Sequence, residues 1–363
     1  MKKLRIGVAG LGRAFSLMAP AFRDPRVQLV AAADPRAEAR AKFQADFPGK
    51  SFASVEEMCA DPGIDVVYVA TPHELHAPHA CAALSAGKSV LVEKPMALTL
   101  EDGRRMIHAA RHTGAQLVVG HGHSFDAPIL RARKLIESQS FGALRMITGL
   151  YFSDFVYRPR RPGELAAAVQ NQAAHHVDIA RVLAGGRVRS VRAFTGDWDR
   201  ARSANGAYSC LLGFDNGVCA SLTYSGYGHF DSDELMGGIG ELGQRKQPFA
   251  RHSDEEKNAR NYGGPRFKEL ERVAHEHFGM LIVSCEKADL RPLPDGVMIY
   301  GDTERRLDPL PPPRIPRVEV IDELYAAVVE GRAPLHSGES ALATLQVCLA
   351  ILDSARQGKE ILL

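Results

Sequence analysis

Short apolar runs alternate with stretches of helical periodicity in the first third of the chain. One helical pattern spans 75–86 and another begins with a capping box, Thr99 and Asp102, and ends at Gly114. The strand-like apolar runs are Leu4–Ala9, Val27–Ala33, 65–70, 89–92 and 116–119. Near-continuous apolar strands separated by helices are typical of a parallel sheet covered on both faces, so this pattern predicts an α/β fold.

The pattern changes after Gly120, where helices are fewer and Asp215-Asn216-Gly217 favours a hairpin turn. The strand-like segments of this part are 145–151, 188–195, 207–214 and 218–224, and its helical patterns are 128–138, 318–330 and 340–357. The polar segment 228–275 predicts a long loop or lid. We therefore expect a parallel-sheet domain over 1–125 and an α+β domain with a largely antiparallel open sheet over 126–363.

A glycine turn joins the first apolar run to the first helical pattern. Gly10 permits a tight turn, and Gly12 has no side chain to keep a pyrophosphate from the helix N-terminus. Strand, glycine turn, helix, strand and acid follow one another as in a Rossmann dinucleotide-binding unit. The third glycine of that fingerprint is Phe15 here, which predicts altered packing rather than lost binding. The residues expected to bind the dinucleotide at this turn are Gly10, Leu11, Gly12, Arg13 and Ala14.

Asp34 ends the second apolar run, where a carboxylate can accept hydrogen bonds from the adenosine ribose and repel a 2′-phosphate. Arg36 follows it closely, and an arginine there can accept NADP. We expect NAD to be preferred over NADP because the carboxylate occupies the fingerprint position.

Composition and charge restrict the class of protein. The chain of 363 residues has 45 basic and 43 acidic residues, a formal net charge of +2. This balance argues against nucleic acid or an anionic membrane as a partner, and no apolar run approaches the ~20 residues of a membrane span. The six cysteines are scattered without a CxxC pair, so we expect a cytoplasmic protein with neither disulfides nor a metal site.

Glu93-Lys94-Pro95 follows the fourth strand-like run. Ligands of open parallel sheets bind beyond the carboxyl ends of the strands, which predicts that Lys94 lies near the nicotinamide of a bound dinucleotide; a solvated surface lysine is the alternative. Together with the glycine turn, Thr71-Pro72-His73, His76 and Gly338-Glu339-Ser340-Ala341, the motif resembles the glucose–fructose oxidoreductase/inositol dehydrogenase (Gfo/Idh/MocA) family. The resemblance extends nearly from end to end and implies a nicotinamide cofactor, with Thr71, Pro72, His73, His76, Glu93 and Lys94 in the cofactor site.

The resemblance also implies two catalytic residues, Lys94 and His175. The family pattern Asp-x-x-x-His-x-x-Asp aligns with residues 171–178, where the first aspartate is replaced by Asn171. An amide can orient a substrate hydroxyl but cannot take its proton. His176 lies about 100° away around a helix, so only one of the two histidines should face the site. Either Lys94 or His175 can serve as the base, and we favour Lys94, with His175 orienting the substrate or relaying its proton.

Several local strings are similar to the branch of this family that oxidises the cis-dihydrodiol of phthalate. They are Gly120-His121-Gly122-His123-Ser124-Phe125, residues 157–162, residues 171–175 and residues 224–231. The arginines of Tyr157-Arg158-Pro159-Arg160-Arg161-Pro162 suit a carboxylated substrate, because guanidinium binds carboxylate through two parallel hydrogen bonds. A solvated basic turn or a subunit-interface cluster would explain them equally well. The expected substrate-binding residues are His121, His123, Tyr157, Arg158, Arg160, Arg161, Asn171 and His175.

We therefore expect an NAD-dependent dehydrogenase that oxidises an anionic cyclic diol and assembles as a homodimer or homotetramer. A sugar or inositol dehydrogenase of the same family is the alternative within this class. A dinucleotide-sensing regulatory protein without turnover is the alternative from another class, and Asn171 is the residue that favours it.

Overall fold

The computed structural model describes residues 3–120, 122–157, 169–199, 205–246, 262 and 270–363. These residues divide into two compact units. The first comprises Met1–His121, Asp254–Glu269 and Ile315–Leu345, and the second Gly122–Ser253, Leu270–Arg314 and Gln346–Leu363. The division differs from the two continuous domains expected from the sequence, because residues 315–345 return to the first unit. There, for example, the Val119 amide donates to the His336 carbonyl.

The first unit contains a parallel sheet of six strands among the described residues, in the order β3-β2-β1-β4-β5-β6. The strands are β1 (Leu4–Ala9), β2 (Val27–Ala33), β3 (Lys50–Phe52), β4 (Val66–Val69), β5 (Ser89–Glu93) and β6 (Leu117–Gly120). This is the expected Rossmann sheet, confirmed. Only β3 was not expected: it has three residues, none of them buried, so it lacks the apolar run by which the other strands were recognised.

The first unit also contains helices. They are α1 (Arg13–Met18), α2 (Ala37–Asp46), α3 (Val55–Cys59), α4 (His76–Ser85), α5 (Leu100–Thr113) and α8 (Val318–Val329). The α5 helix begins and ends as predicted. Thr99 Oγ1 accepts from the Asp102 amide, and Gly114 ends the helix in the left-handed conformation at φ 71°. These helices place the loops after β1, β4 and β5 at the carboxyl edge of the sheet.

The second unit contains a mixed sheet, mostly antiparallel, whose described strands have the order β14-β13-β12-β11-β7-β10-β9-β8-β15. β7 and β10 pair in parallel, and every other neighbouring pair is antiparallel. The strands are β7 (Leu144–Phe152), β8 (Val188–Gly196), β9 (Ala207–Phe214), β10 (Cys219–Ser225), β11 (Met280–Cys285), β12 (Ala288–Leu293), β13 (Gly296–Gly301), β14 (Arg305–Pro309) and β15 (Ile361–Leu362). The expected open, largely antiparallel sheet is confirmed.

One face of this sheet supplies the core of the second unit. Ile147, Cys210, Leu212 and Leu222 are buried there together with residues of α6 (Ala127–Glu137) and α7 (Ala174–Ala184). The last helix, α9 (Gly338–Gln357), belongs to the first unit up to Leu345 and to the second unit from Gln346. Among the described residues, none of the helices combines the length and apolar character that a membrane crossing requires.

Candidate active site

The glycine turn after β1 has the geometry that its residues predict. Gly10 adopts φ 93°, and a Cβ there would lie 2.7 Å from the Ala70 carbonyl oxygen, so a larger residue does not fit. Gly12 caps α1, and a Cβ there would meet nothing within 4 Å. Arg13 and Ala14 open α1, whose first amides have no acceptor within the helix. The space over Gly12 and the direction of these amides suit a dinucleotide pyrophosphate.

Phe15 replaces the third glycine of the fingerprint and is fully buried. Its ring packs against Phe22, Phe43 and Phe47 and meets Tyr262 edge-on, with 4.9 Å between the ring centroids. The substitution therefore enlarges the packing between α1 and α2, while the position over Gly12 stays open.

Asp34 is buried at the end of β2, and both of its carboxylate oxygens accept hydrogen bonds. Oδ1 accepts from the Arg36 amide and Nε, both at 2.9 Å, and Oδ2 accepts from the Leu11 amide and an Arg36 terminal nitrogen, also at 2.9 Å. Burial pushes the pKa of Asp34 upward, but the hydrogen bonds from Arg36 and Leu11 hold it below its ordinary value. A ribose diol would have to take acceptor positions that Arg36 now uses.

Two contacts fix the turn that contains Lys94. On one side of it, the Tyr68 hydroxyl of β4 donates to Glu93 Oε1 at 2.6 Å. On the other side, the ring of His76 lies between two carbonyls, with Nδ1 2.8 Å from the Pro95 oxygen and Nε2 2.9 Å from the Thr71 oxygen. The peptide bond between Lys94 and Pro95 is cis. Lys94 is thus held between two anchored neighbours.

The histidines of the Thr71-Pro72-His73 loop are largely buried. Burial, with His76 and Lys94 nearby, lowers the pKa of His73 to about 3, so His73 is neutral at physiological pH. Both ring nitrogens of His76 already contact carbonyl oxygens. A direct cofactor contact of His73 or His76 therefore stays a prediction, and the geometry of His76 favours a role in shaping the loop.

His175 and His176 lie in the first turn of α7, directly after a π-helical segment, Val169–Ala173, that contains Asn171. The two rings share one neighbour, Phe278, whose ring centroid lies 4.8 Å from that of His175 and 4.7 Å from that of His176. Their other partners differ. His176 Nδ1 lies 2.8 Å from the Tyr208 hydroxyl, and burial, followed by the charge of His123, lowers the pKa of His176 to about 3. The ring of His175 packs against His123, with 4.8 Å between the centroids. Which of the two histidines faces the substrate stays a prediction.

His123 is 2% exposed, and both of its ring nitrogens face carboxylates. Nδ1 lies 3.0 Å from Asp126 Oδ2, and Nε2 lies 3.4 Å from Glu241 Oε1, while Tyr151 donates to the other Glu241 oxygen at 3.1 Å. Burial opposes the charged form, but Asp126 and Glu241 raise the pKa of His123 to about 9. We predicted that His123 contacts the substrate, and this contact stays a prediction. Both ring nitrogens of His123 already have partners within the second unit.

Other predicted substrate residues lie outside the described part of the chain. These are His121, Arg158, Arg160 and Arg161, together with the side chain of Tyr157. The residues that sequence reasoning missed are Asp126, Tyr151, Glu241 and Phe278, which surround His123 and His175. Only Asp126 carried a signal, because it lies three residues after His123 at the start of a predicted helix.

Family comparisons agree with this geometry. Residues 4–121 match the description "Oxidoreductase family, NAD-binding Rossmann fold", and residues 129–243 match "GFO/IDH/MocA C-terminal domain". The chain belongs to the Gfo/Idh/MocA oxidoreductase family. It is therefore an oxidoreductase with an NAD-binding Rossmann domain, and the family resemblance drawn from the Glu93-Lys94-Pro95 motif is confirmed.

Individual relatives differ in how much of the chain they match. The 1-carboxy-3-chloro-3,4-dihydroxycyclo hexa-1,5-diene dehydrogenase of Comamonas testosteroni is 47% identical over 97% of this chain and 95% of its own length. The crystal structure of a protein from Bordetella bronchiseptica RB50, itself only proposed to be a dehydrogenase, is 36% identical with a TM-score of 0.93 and covers 99% of this chain and 100% of its own. The scyllo-inositol 2-dehydrogenase (NADP(+)) IolW of Bacillus subtilis (strain 168) is 34% identical over 39% of this chain and 40% of its length.

Proposed function

We propose that this protein oxidises a carboxylated cyclic cis-dihydrodiol, of the phthalate 4,5-dihydrodiol type, to the corresponding catechol. The observation that carries the proposal is the Comamonas relative, which matches almost the whole chain and whose name specifies a dihydroxycyclohexadiene bearing a carboxyl group. The Rossmann domain and Lys94 supply the parts that a dehydrogenase of such a diol requires.

The reaction removes a hydride from one carbinol carbon and a proton from its hydroxyl, which leaves a ketone. Loss of the ring proton beside the second hydroxyl and protonation of the ketone oxygen then give the aromatic catechol. Aromatisation makes oxidation strongly favourable. The nicotinamide cofactor supplies the hydride acceptor when it is bound.

Two residues have the proposed acid–base roles. Lys94 takes the hydroxyl proton, because an amine that is partly desolvated can lose its proton near neutral pH. Its neighbours Glu93 and Pro95 are held by Tyr68 and His76, which fixes the position from which Lys94 acts. His175 orients the diol or relays the proton.

We propose that carboxylates of the substrate bind one or two of Arg158, Arg160 and Arg161. Three cations lie within four residues, next to Pro159 and Pro162, which restrict the loop backbone. The cofactor in the proposed reaction is NAD rather than NADP, because Asp34 is an ionised, buried carboxylate at the fingerprint position.

Formation of NADH with a panel of diols tests the proposal. The panel contains carboxylated and uncarboxylated cis-dihydrodiols, inositols and sugars. We expect the highest kcat/KM with a carboxylated dihydrodiol. Three single replacements, Arg158→Met, Arg160→Met and Arg161→Met, should include at least one that raises KM for the carboxylated diol roughly 10–100-fold, the value of one lost charged hydrogen bond. Because the mutation and the missing carboxylate remove the same contact, their effects should not add.

Lys94→Ala tests the assignment of the base within the same assay. We expect kcat to fall by about 10²–10⁴-fold, the usual contribution of a positioned base, while NAD affinity changes little. Lys50→Ala is the matched control, because Lys50 is an exposed lysine whose amine pairs with Asp61 on the surface. Near-normal turnover of Lys94→Ala from pH 6 to 9 would assign the base to His175 or a water molecule.

An inositol or sugar dehydrogenase is the second candidate, and the partial match to the Bacillus inositol dehydrogenase favours it. Preferred turnover of a neutral polyol, with no effect of the three arginine replacements, would establish this candidate instead. A protein that binds NAD but reduces it with no diol of the panel would be the dinucleotide sensor.

A further inference from the structure

The hydrogen-bonding pattern of His123 determines its protonation. Its Nδ1 faces Asp126 and its Nε2 faces Glu241. Ionised carboxylates only accept hydrogen bonds, and a neutral imidazole has a single N–H. Both contacts can be favourable only when both nitrogens carry hydrogen. With both carboxyl groups ionised, this pattern favours a buried imidazolium, the direction in which Asp126 and Glu241 also raise the pKa of His123.

This cation lies against the histidine to which the family resemblance assigns a catalytic role. The His123 and His175 rings are 4.8 Å apart between centroids with an interplanar angle of 66°, and Phe278 packs against both. The loop preceding His123 also touches His175, because a Cβ on Gly122 would lie 3.6 Å from His175 Cε1. The charge of His123 therefore lies in direct ring contact with His175.

Other charged and titratable groups surround the pair within the second unit. One ring nitrogen of His123 and one carboxylate oxygen each of Asp126 and Glu276 lie within 4.8 Å of one another. From the remaining elements, the groups that face this cluster are Glu241 and Tyr151, His176 of α7, Arg272 beside Glu276, and His277 with the Asp233–Lys246 pair behind it.

We propose that His123 is a positioning residue for His175: held as a cation between Asp126 and Glu241, it fixes the His175 ring and keeps it neutral, able to accept a proton near pH 7. The second part rests on the proposed function, in which His175 orients or relays the proton of the diol.

Two neighbouring histidines already show the direction of this influence. Burial, and after it the charge of His123, lowers the pKa of His176 to about 3. Burial also lowers the pKa of His277 to about 4, and there the charge of His123 has a larger effect than the opposing charge of Glu241. Thus the carboxylates paired with His123 do not cancel its effect on an adjacent imidazole.

An NMR titration of the histidines tests the first part without any substrate. The protein is labelled at histidine and treated with EDTA, and a His175→Gln variant identifies the His175 resonance. In the unmodified chain we expect His123 to stay protonated at pH 7 and His175 to titrate below its ordinary value of about 6.5. In His123→Gln, the proton affinity of His175 should rise at least about tenfold, because a cation at this distance is removed from a poorly solvated site.

Two further variants protect the test from misfolding and from indirect effects. His123→Gln/Glu241→Gln removes the histidine together with one of its two carboxylate partners, so less buried negative charge is left opposite a neutral group, and it should raise the His175 midpoint in the same direction. Tyr151→Phe deletes a hydrogen bond to Glu241 without changing the charge of the site. It should change the proton affinity of His175 by less than about threefold. An unchanged His175 midpoint in both His123 variants, or a neutral His123 at pH 7 in the unmodified protein, would overturn the proposal.

The kinetic part is measured with the best diol of the panel. If His175 must be neutral for turnover, the acidic limb of kcat/KM against pH should move upward in His123→Gln together with the NMR midpoint. A shifted midpoint without a shifted limb would reject a proton-accepting role for His175 and retain the electrostatic one. If no diol is turned over, the proposed function fails, while the NMR result still decides the relation between the two histidines.

Discussion

Arg36 competes for the carboxylate that would bind the ribose. Asp34 accepts four hydrogen bonds, three of them from Arg36, and the Arg36 side chain is partly exposed and can move. When a ribose diol takes some of these positions, Arg36 is displaced. When a 2′-phosphate arrives, Arg36 can pair with it. The preference for NAD or NADP therefore depends on the free-energy difference between Arg36 displaced from Asp34 by a ribose diol and Arg36 paired with a 2′-phosphate.

Replacement of either partner should change this choice in opposite directions. Asp34→Ala removes the repulsion toward a 2′-phosphate and should reduce the preference for NAD by roughly an order of magnitude in kcat/KM, the size of one lost charged hydrogen bond. Arg36→Met keeps the apolar stem but removes the cation, and should increase the preference for NAD. The measurement is the ratio of kcat/KM for NAD and NADP at one diol concentration. Equal or better use of NADP by the unmodified protein would contradict the assignment.

Single residues were predictable from sequence where their role follows from the backbone. Gly10 and Gly12 are examples, because a positive φ and an open approach require glycine. His123 was recognised as a candidate, but its partner Glu241 is 118 residues away along the chain, and no local pattern connects them. A separation of 90 residues likewise concealed the contact of Tyr151 with Glu241.

At the level of elements, the turn after β5 depends on contacts made by β4 and α4. His76, the first residue of α4, bridges the Thr71 and Pro95 carbonyls, while Tyr68 of β4 binds Glu93. The sequence predicts each of these elements, but their convergence on the two neighbours of Lys94 follows only from the order of the strands in the sheet.

His76→Ala should lower kcat more than it weakens NAD binding, because it releases Pro95 and leaves a buried carbonyl without a donor. An unsatisfied buried group costs about 1–3 kcal/mol, so the melting temperature should also fall by several degrees. Tyr68→Phe releases the other neighbour, Glu93, with almost no change in volume, and is the matched comparison. Calorimetry and steady-state kinetics separate the two effects. A lower melting temperature with unchanged kcat would show that His76 only stabilises the fold.

Elements with strong local signals were predicted almost to the residue, and elements set by tertiary packing were not. Thr99 and Gly114 delimit α5 because each satisfies backbone groups of its own helix end. The π-helical segment Val169–Ala173, directly before α7, has no such local signature. The strands β11, β12, β13, β14 and β15 were not predicted from the sequence, and of these β14 is short and has no buried residue.

On the scale of the whole molecule, the sheet of the second unit exposes apolar side chains on its other face. Phe194, Leu211 and Met146 are 66%, 59% and 44% exposed. The strand register places all three on this face. Leu211 pairs with Arg192, and Phe194 lies two residues after Arg192 on the same strand. Leu211 also pairs with Ser221, and Cys219, two residues before Ser221, pairs with Met146. Apolar side chains grouped on central strands are typical of an interface, which supports the expectation of a homo-oligomer.

We expect a second copy of the chain to cover this face. Leu211→Glu places a charge at its centre and should convert the assembly to smaller species in analytical ultracentrifugation, while the fold within each chain is retained. Glu137→Gln, on α6 at an exposed position, is a control for altered charge elsewhere. A chain that sediments as a monomer before mutation, or an assembly that tolerates Leu211→Glu, would contradict the use of this face.

The buried histidines also make the stability of the whole protein depend on pH in a defined direction. His123 has a pKa of about 9 in the folded protein, above its value of about 6.5 in an unfolded chain. Folding therefore favours its charged form, and this stabilisation is complete below about pH 6.5 and is lost as the pH rises through about 9. His176, with a pKa of about 3, acts in the opposite sense: it must stay neutral in the core, so it destabilises the fold as the pH falls below about 6.5.

Urea unfolding of the unmodified protein and of His123→Gln/Glu241→Gln separates the two contributions. The difference in unfolding free energy between them should decrease from pH 6.5 to pH 9, whereas both proteins should weaken in parallel below pH 6. A difference that stays constant between pH 6.5 and pH 9 would mean that His123 is not held as a cation in the folded state.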